Sequence, residues 1–288
     1  PQPAAAGSPA GAAPALTTED VQTWLDGILP AALEREGLTG AVVSVVHGGQ
    51  VVTERGYGYA GTGTDGAPVP VDAQRTLFRV GSITKLTVAT AVMQLVEEGR
   101  VDLDEPVADL IDIDLPTRFD EPITLRHLLS HTAGFEERLG DLFMDPERDV
   151  PPLGQALADP PEQIFAPGTT PAYSNYGNAL AGYVVERVSG MEFADYAATH
   201  IFEPLGMDTA TLAQPLPEEL AGQMAAGYHH RGSEPVPFEH VGIPPAGSMS
   251  AAAPDMSAFM LAHLGFDPTD DDGEAAPAFL SPESVHAM

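Results

Sequence analysis

Ser82 and Lys85 stand three residues apart in RVGSITKLTVAT, residues 79–90, and Lys85 is the single lysine in 288 residues. A serine hydroxyl is a poor nucleophile until a neighbouring base takes its proton, and a lysine held away from water gives up its own proton more readily and can serve. Residues three apart on a helix share a face, so Lys85 is expected to reach the Ser82 hydroxyl. A helix opening at Ser82 would also set partial positive charge beside any anion formed there. The second candidate set is Tyr173 and Asn175 in PGTTPAYSNYGN, residues 167–178, which reads as a loop just before a helix. Tyrosine beside an ammonium can act as a phenolate base, and an asparagine amide can hold Lys85 or a substrate amide by hydrogen bonds. Ser-x-x-Lys and Tyr-x-Asn are each commonplace, and their weight comes from occurring together. The segment after Lys85 is apolar on every side, which leaves an incidental lysine no solvated face in its first turn.

The elements that must hold these side chains are legible from pattern. Thr17 followed by Asp20 starts a helix close to a capping box, and VQTWLDGILPAALEREG continues it to Gly37, with Pro30 inside as a possible kink. Trp24 shares apolar spacing with Leu25, Ile28 and Leu29 and is expected in the core. AVVSVVHGGQVVTERGYGY gives two β-branched runs around Gly48–Gly49, the mark of a tight hairpin. An apolar helix runs from Ser82 and ends at Gly99 as its C-cap. ITLRHLLSHTAG reads as a shorter helix stopping at Gly134, YGNALAGYVVERVSG as one ending near Gly190, and EFADYAATHIFEPLG as a third. A hairpin followed by a mostly helical middle predicts an α+β fold with a helical lobe over roughly 85–235. FLSPESVHAM begins another helix, with Ser281 as N-cap and Pro282 in its first turn, and the chain stops within two turns. That abrupt stop, together with a hairpin too small to be a stable sheet alone, predicts that the chain is C-terminally truncated and that further strands would follow Met288.

Composition narrows the function classes. Twelve Lys and Arg against 42 Asp and Glu leave a formal charge of -30, which repels nucleic acid and anionic membrane surfaces. With 43% hydrophobic residues the chain can bury a core. Cysteine is absent, so thiol nucleophiles, zinc-thiolate sites and disulfides are excluded. His229–His230 reads as a surface pair with no partners at ligand spacing, and no metal or cofactor is called for. The acidic stretch DPTDDDGEAAPAF resembles a calcium loop, but counting from Gly273 puts Pro268 and Phe279 where ligands belong, so a solvated loop is expected. The opening PQPAAAGSPAGAAP, residues 1–14, reads as a flexible Pro/Ala/Gly-rich tail of the kind found after a removed export signal. The expected localisation is therefore secreted or in the cell envelope, with an anchor beyond residue 288 left open. No run approaches the ~18 apolar residues of a membrane span, so no insertion is expected within this chain.

Five blocks occur in order: FRVGSITKLTVATAVMQLVEEGRVDLDEPV, ITLRHLLSHTAGF, FAPGTTPAYSNYGNALAGYVVERVSG, IFEPLGM and PAGSMSAAAPDMSAFM. Together they resemble the serine β-lactamase-like family that holds class C β-lactamases, D-alanyl-D-alanine carboxypeptidases and related esterases, over roughly residues 18–288. The resemblance implies an antiparallel sheet flanked by helices beside an all-helical lobe, the β-lactamase/transpeptidase-like fold, with the site between them. It implies Ser82 as the acylated nucleophile, Lys85 as its partner, Tyr173 as the second motif's base and Asn175 as substrate-binding, with the Ser82 backbone N–H in the oxyanion hole. The family's third motif, Lys-Thr-Gly or His-x-Gly on a strand, is placed after the point where this chain ends, and HTAG at His131–Gly134 reads instead as a helix-ending turn. The expected substrate is a small molecule or a peptidoglycan-like peptide, cleaved at an amide, ester or D-Ala-D-Ala-like bond. With the third motif outside the chain, a non-catalytic ligand-binding or regulatory module, or an inactive fragment, is the other expectation. Nothing in the sequence selects an oligomeric state.

Overall fold

Thr17 caps the first helix by accepting the Asp20 N–H, and α1 runs over Thr18–Glu36 to a left-handed Gly37. The structure is a computed structural model that describes residues 16–115, 118–140, 142–230, 232–266 and 279–288. The tail at 1–14 and the acidic stretch over 267–278 lie outside the described residues. Pro30 sits inside α1, which continues through it.

Strands β1 (Gly40–His47) and β2 (Gln50–Thr62) form the expected antiparallel hairpin, turning at Gly48–Gly49 with His47 opposite Gln50. A third strand, β3 (Pro68–Pro70), extends the sheet in the order β1-β2-β3. Side chains alternate between the two faces of a strand, and the two faces here meet different helices. Ala41, Val43 and Tyr57 pack with Leu25 and Leu33 of α1, while Ser44 hydrogen-bonds Ser257 of α5 (Ala253–His263) at 2.6 Å from the opposite face. A helix on each face of an antiparallel sheet confirms the α+β reading.

Trp24 corrects the expectation of a core residue: it is 63% exposed. Gln22 donates to Thr53, and Asp26 accepts from both Arg55 and Tyr57, so polar side chains of α1 hydrogen-bond across to β2. The buried stripe is then Val21, Leu25, Leu29 and Leu33, and Trp24 with Ile28 turns outward.

The larger core lies among the helices. Val88, Val92 and Leu95 of α2 (Lys85–Glu97) are fully buried with Leu180 and Val184 of α4 (Asn175–Ser189) and with Leu125 and Leu128 of α3 (Leu125–Leu129). Two boundaries move. α3 ends at Leu129 rather than Gly134, because His131 takes a left-handed φ of 55° that no α-helix continues. Asn175 is not in the loop: it is the first residue of α4, and Ser174 is the N-cap, accepting the Gly177 N–H. The closing helix α6 (Pro282–Ala287) starts on Ser281 as read from sequence.

Candidate active site

Ser82 sits in a 3-10 turn, Gly81–Thr84, that runs directly into α2, and not in the α-helix itself. A 3-10 turn has three residues per turn, so side chains three apart eclipse, and this stacks Lys85 on Ser82 more directly than the expected helix would. The turn is hung from a short ladder in which β4 (Phe78–Arg79) pairs with β5 (Ser250–Ala251). Thr84 ties the two together: its hydroxyl donates to the Gly81 carbonyl at 2.6 Å and accepts the Met249 N–H at 3.1 Å.

Lys85 is 8% exposed, whereas Ser82 faces solvent. The Lys85 ammonium donates to Ser82 Oγ at 3.2 Å, to Asn175 Oδ1 at 2.7 Å and to the Ala246 carbonyl at 2.6 Å. Among the described residues every ion pair uses an arginine or lies elsewhere, and no carboxylate stands within ion-pair distance of Lys85. Its two close partners are neutral acceptors, which hold two N–H bonds without pinning the charge as a carboxylate would. The third position on Nζ, proton or lone pair, then faces Ser82 Oγ, so one geometry serves both protonation states.

Tyr173 completes the group: its phenol donates to Ser82 Oγ at 2.9 Å, and the Lys85 Nζ lies 5.0 Å from the centre of its ring. The structure therefore brings all four sequence-predicted residues together. Ser82 has a candidate base on either side, and Asn175 holds Lys85. Gly182, about two helical turns beyond, lets α4 press on the turn that carries Ala246, since a Cβ there would come within 2.8 Å of Pro245.

Two residues were not foreseen as part of the site. Glu137 accepts the Asn175 backbone N–H at 2.8 Å and its side-chain Nδ2 at 2.9 Å, which leaves Oδ1 as the atom turned to Lys85. A carboxylate at a helix N-terminus is also favoured by the aligned peptide dipoles. His131 accepts the Ser174 N–H on Nδ1 at 3.2 Å, and its ring centre lies 4.4 Å from that of Tyr173. Burial and the Lys85 charge lower the His131 pKa, against a smaller upward pull from Glu137. No local pattern marks Glu137 among 42 acidic residues; His131 belonged to the HTAG turn, but its partner lies 43 positions away. That loop is docked in turn by Gly134, whose carbonyl accepts the Ile164 N–H at 2.8 Å and whose Cα lies too close to the Phe165 carbonyl for any side chain.

The sequence does contain His-x-Gly triplets, at His47–Gly49, His230–Gly232, His240–Gly242 and His263–Gly265; His263 is half-buried with Nδ1 2.8 Å from the Phe259 carbonyl. His47 is exposed at the hairpin turn, and His240 is buried with Nδ1 3.1 Å from the Arg148 carbonyl. His229 and His230 are exposed, as expected.

The chain is similar to known proteins over most of its length. The model of the family described as Beta-lactamase matches residues 25–282. The chain is 35% identical over 228 residues to the esterase EstB of Burkholderia gladioli, an alignment covering 74% of this chain and 56% of the esterase. Penicillin-binding protein 4* of Bacillus subtilis is 29% identical over 201 residues, 68% of this chain and 43% of that protein. The solved structure of an octameric penicillin-binding protein homologue from Pyrococcus abyssi aligns with a TM-score of 0.76 at 28% identity, covering 93% of this chain and 60% of the other. The chain spans about half the length of the curated relatives it matches.

Proposed function

Because the chain belongs to the beta-lactamase family, we propose that it is a serine hydrolase working through an acyl-enzyme on Ser82, with an amide, ester or D-Ala-D-Ala-like substrate. The observation that carries the reading is the solvent-facing Ser82 Oγ between Lys85 Nζ at 3.2 Å and the Tyr173 hydroxyl at 2.9 Å. In this reading Ser82 Oγ bonds the substrate's carbonyl carbon while its proton passes to the Lys85–Tyr173 pair. The leaving alcohol or amine departs with that proton, and water then adds to the Ser82 ester, releasing the acid and restoring the hydroxyl. Asn175 keeps Lys85 directed at Ser82, and its own amide is fixed by Glu137. The names of the relatives, an esterase and a penicillin-binding protein, support an ester and a penicillin-type amide alike.

The test is covalent. Incubated with a fluorophosphonate, the chain should gain one adduct by intact mass, with loss of fluoride, and the Ser82→Ala variant should gain none. An unlabelled wild-type chain would overturn the reading and favour a ligand-binding module. A panel of chromogenic cephalosporin, D-Ala-D-Ala peptide and p-nitrophenyl ester then separates the substrate classes.

A further inference from the structure

We propose that His131 is a positioning residue of this site, that it must be neutral with Nδ1 unprotonated, and that its protonation unseats the Tyr173–Asn175 turn and slows acylation of Ser82. The catalytic part of this inference rests on the serine hydrolase reading.

His131 is the one non-glycine residue with positive φ among those described, at 55°. Left-handed backbone is uncommon outside glycine, and where it persists the surroundings must hold it. Here the residue grips the opposite turn twice. Its carbonyl accepts the Ala172 N–H at 2.7 Å, and Nδ1 accepts the Ser174 N–H at 3.2 Å. Between those two anchors stands Tyr173, whose ring packs on the imidazole at a centre distance of 4.4 Å and a tilt of 31°. The phenol that touches Ser82 is thus carried by a turn pinned on both sides by one histidine.

A backbone N–H can point at Nδ1 only if that nitrogen carries a lone pair, so the ring proton belongs on Nε2. Protonation would set donor against donor at Ser174 and release that anchor. The charged and titratable groups facing the ring are Lys85 from α2, the Tyr173 phenol from the loop before α4, and Glu137 from His131's own loop. Burial disfavours the charged ring, and a second cation beside Lys85 adds to this, with Glu137 opposing in part. The sign follows. A histidine whose folded pKa lies below its ordinary value of about 6.5 is neutral at pH 7, and the held turn is lost as pH falls through the depressed value.

His131→Asn isolates the effect. Asparagine is among the side chains best tolerated in left-handed backbone, and its amide oxygen can replace Nδ1 as acceptor without titrating in this range. Fluorophosphonate labelling of wild-type Ser82 should fall on the acid side by about tenfold per pH unit, as for a single ionisation. In His131→Asn the rate near pH 7.5 should stay within about threefold of wild type, and the acid limb should flatten. His131→Ala, with no acceptor, should label more slowly at every pH. A His131→Asn profile that keeps the inflection found at the wild-type His131 titration would overturn the inference. Independently of Ser82 reactivity, 15N histidine spectra, assigned by the signal lost in His131→Asn, should show the Nε2–H tautomer at pH 7.5 and a titration below the ordinary range. An Nδ1–H tautomer would overturn the positioning role. Absence of label at any pH, with the expected tautomer, would sink the hydrolase reading while leaving the anchor on the turn intact.

Discussion

The chemistry of the site depends on how few partners each reactive atom has. Lys85 meets an amide oxygen and a peptide carbonyl, and Ser82 occupies the remaining direction on Nζ. Tyr173 is 49% exposed and its hydroxyl hydrogen-bonds Ser82 alone among the described side chains. Tyr173→Phe should therefore leave stability within about 0.5 kcal/mol, as for surface changes that break no buried contact. If the phenol relays the Ser82 proton, fluorophosphonate labelling should slow by about 10²- to 10⁴-fold, the usual range for a lost general base. Labelling at the wild-type rate with unchanged melting would remove Tyr173 from the mechanism and leave Lys85 as sole base.

At the level of elements, the site is a meeting of three short segments on two buried helices. The 3-10 turn brings Ser82 over Lys85, the N-terminus of α4 supplies Asn175, and the turn after residue 243 supplies the Ala246 carbonyl. Thr84 is the fastener between the first and the third, fully buried, with one hydrogen bond to each side. Thr84→Val keeps the shape but strands the buried Met249 N–H, and a buried unsatisfied group typically costs about 1–3 kcal/mol. A shift of the denaturation midpoint in that range, with slower labelling, is expected for Val. Thr84→Ser should recover most of both. Equal losses in the two variants would mean that packing of the methyl group, and not the hydroxyl, holds the turn.

At the scale of the whole molecule, a formal charge of -30 is a standing repulsion that the few ion pairs among the described residues, all of them arginine and all at least partly exposed, do little to offset. Raising NaCl from about 0.1 M to about 1 M shortens the screening length from about 10 Å to about 3 Å. The melting temperature should rise with it; a flat or falling curve would show that self-repulsion does not limit stability. The sequence by itself determined the hairpin, the capped first helix and the Ser82–Lys85 pair, because each rests on contacts within a few residues: Thr17 with Asp20, Gly48 with Gly49, Ser82 with Lys85; Tyr173 and Asn175 were legible only through their motif, since they meet Ser82 and Lys85 from 91 and 90 positions away. It misplaced Trp24, since the rotation of α1 follows from Gln22 and Asp26 reaching Thr53, Arg55 and Tyr57 on a strand some thirty residues on. It could not mark Glu137, His131 or the Ala246 carbonyl as parts of the site, because their partners stand 38, 43 and 161 positions away. Only the packing of α2, α4 and the loops between them decides which of many similar acids, histidines and carbonyls comes to lie beside Lys85.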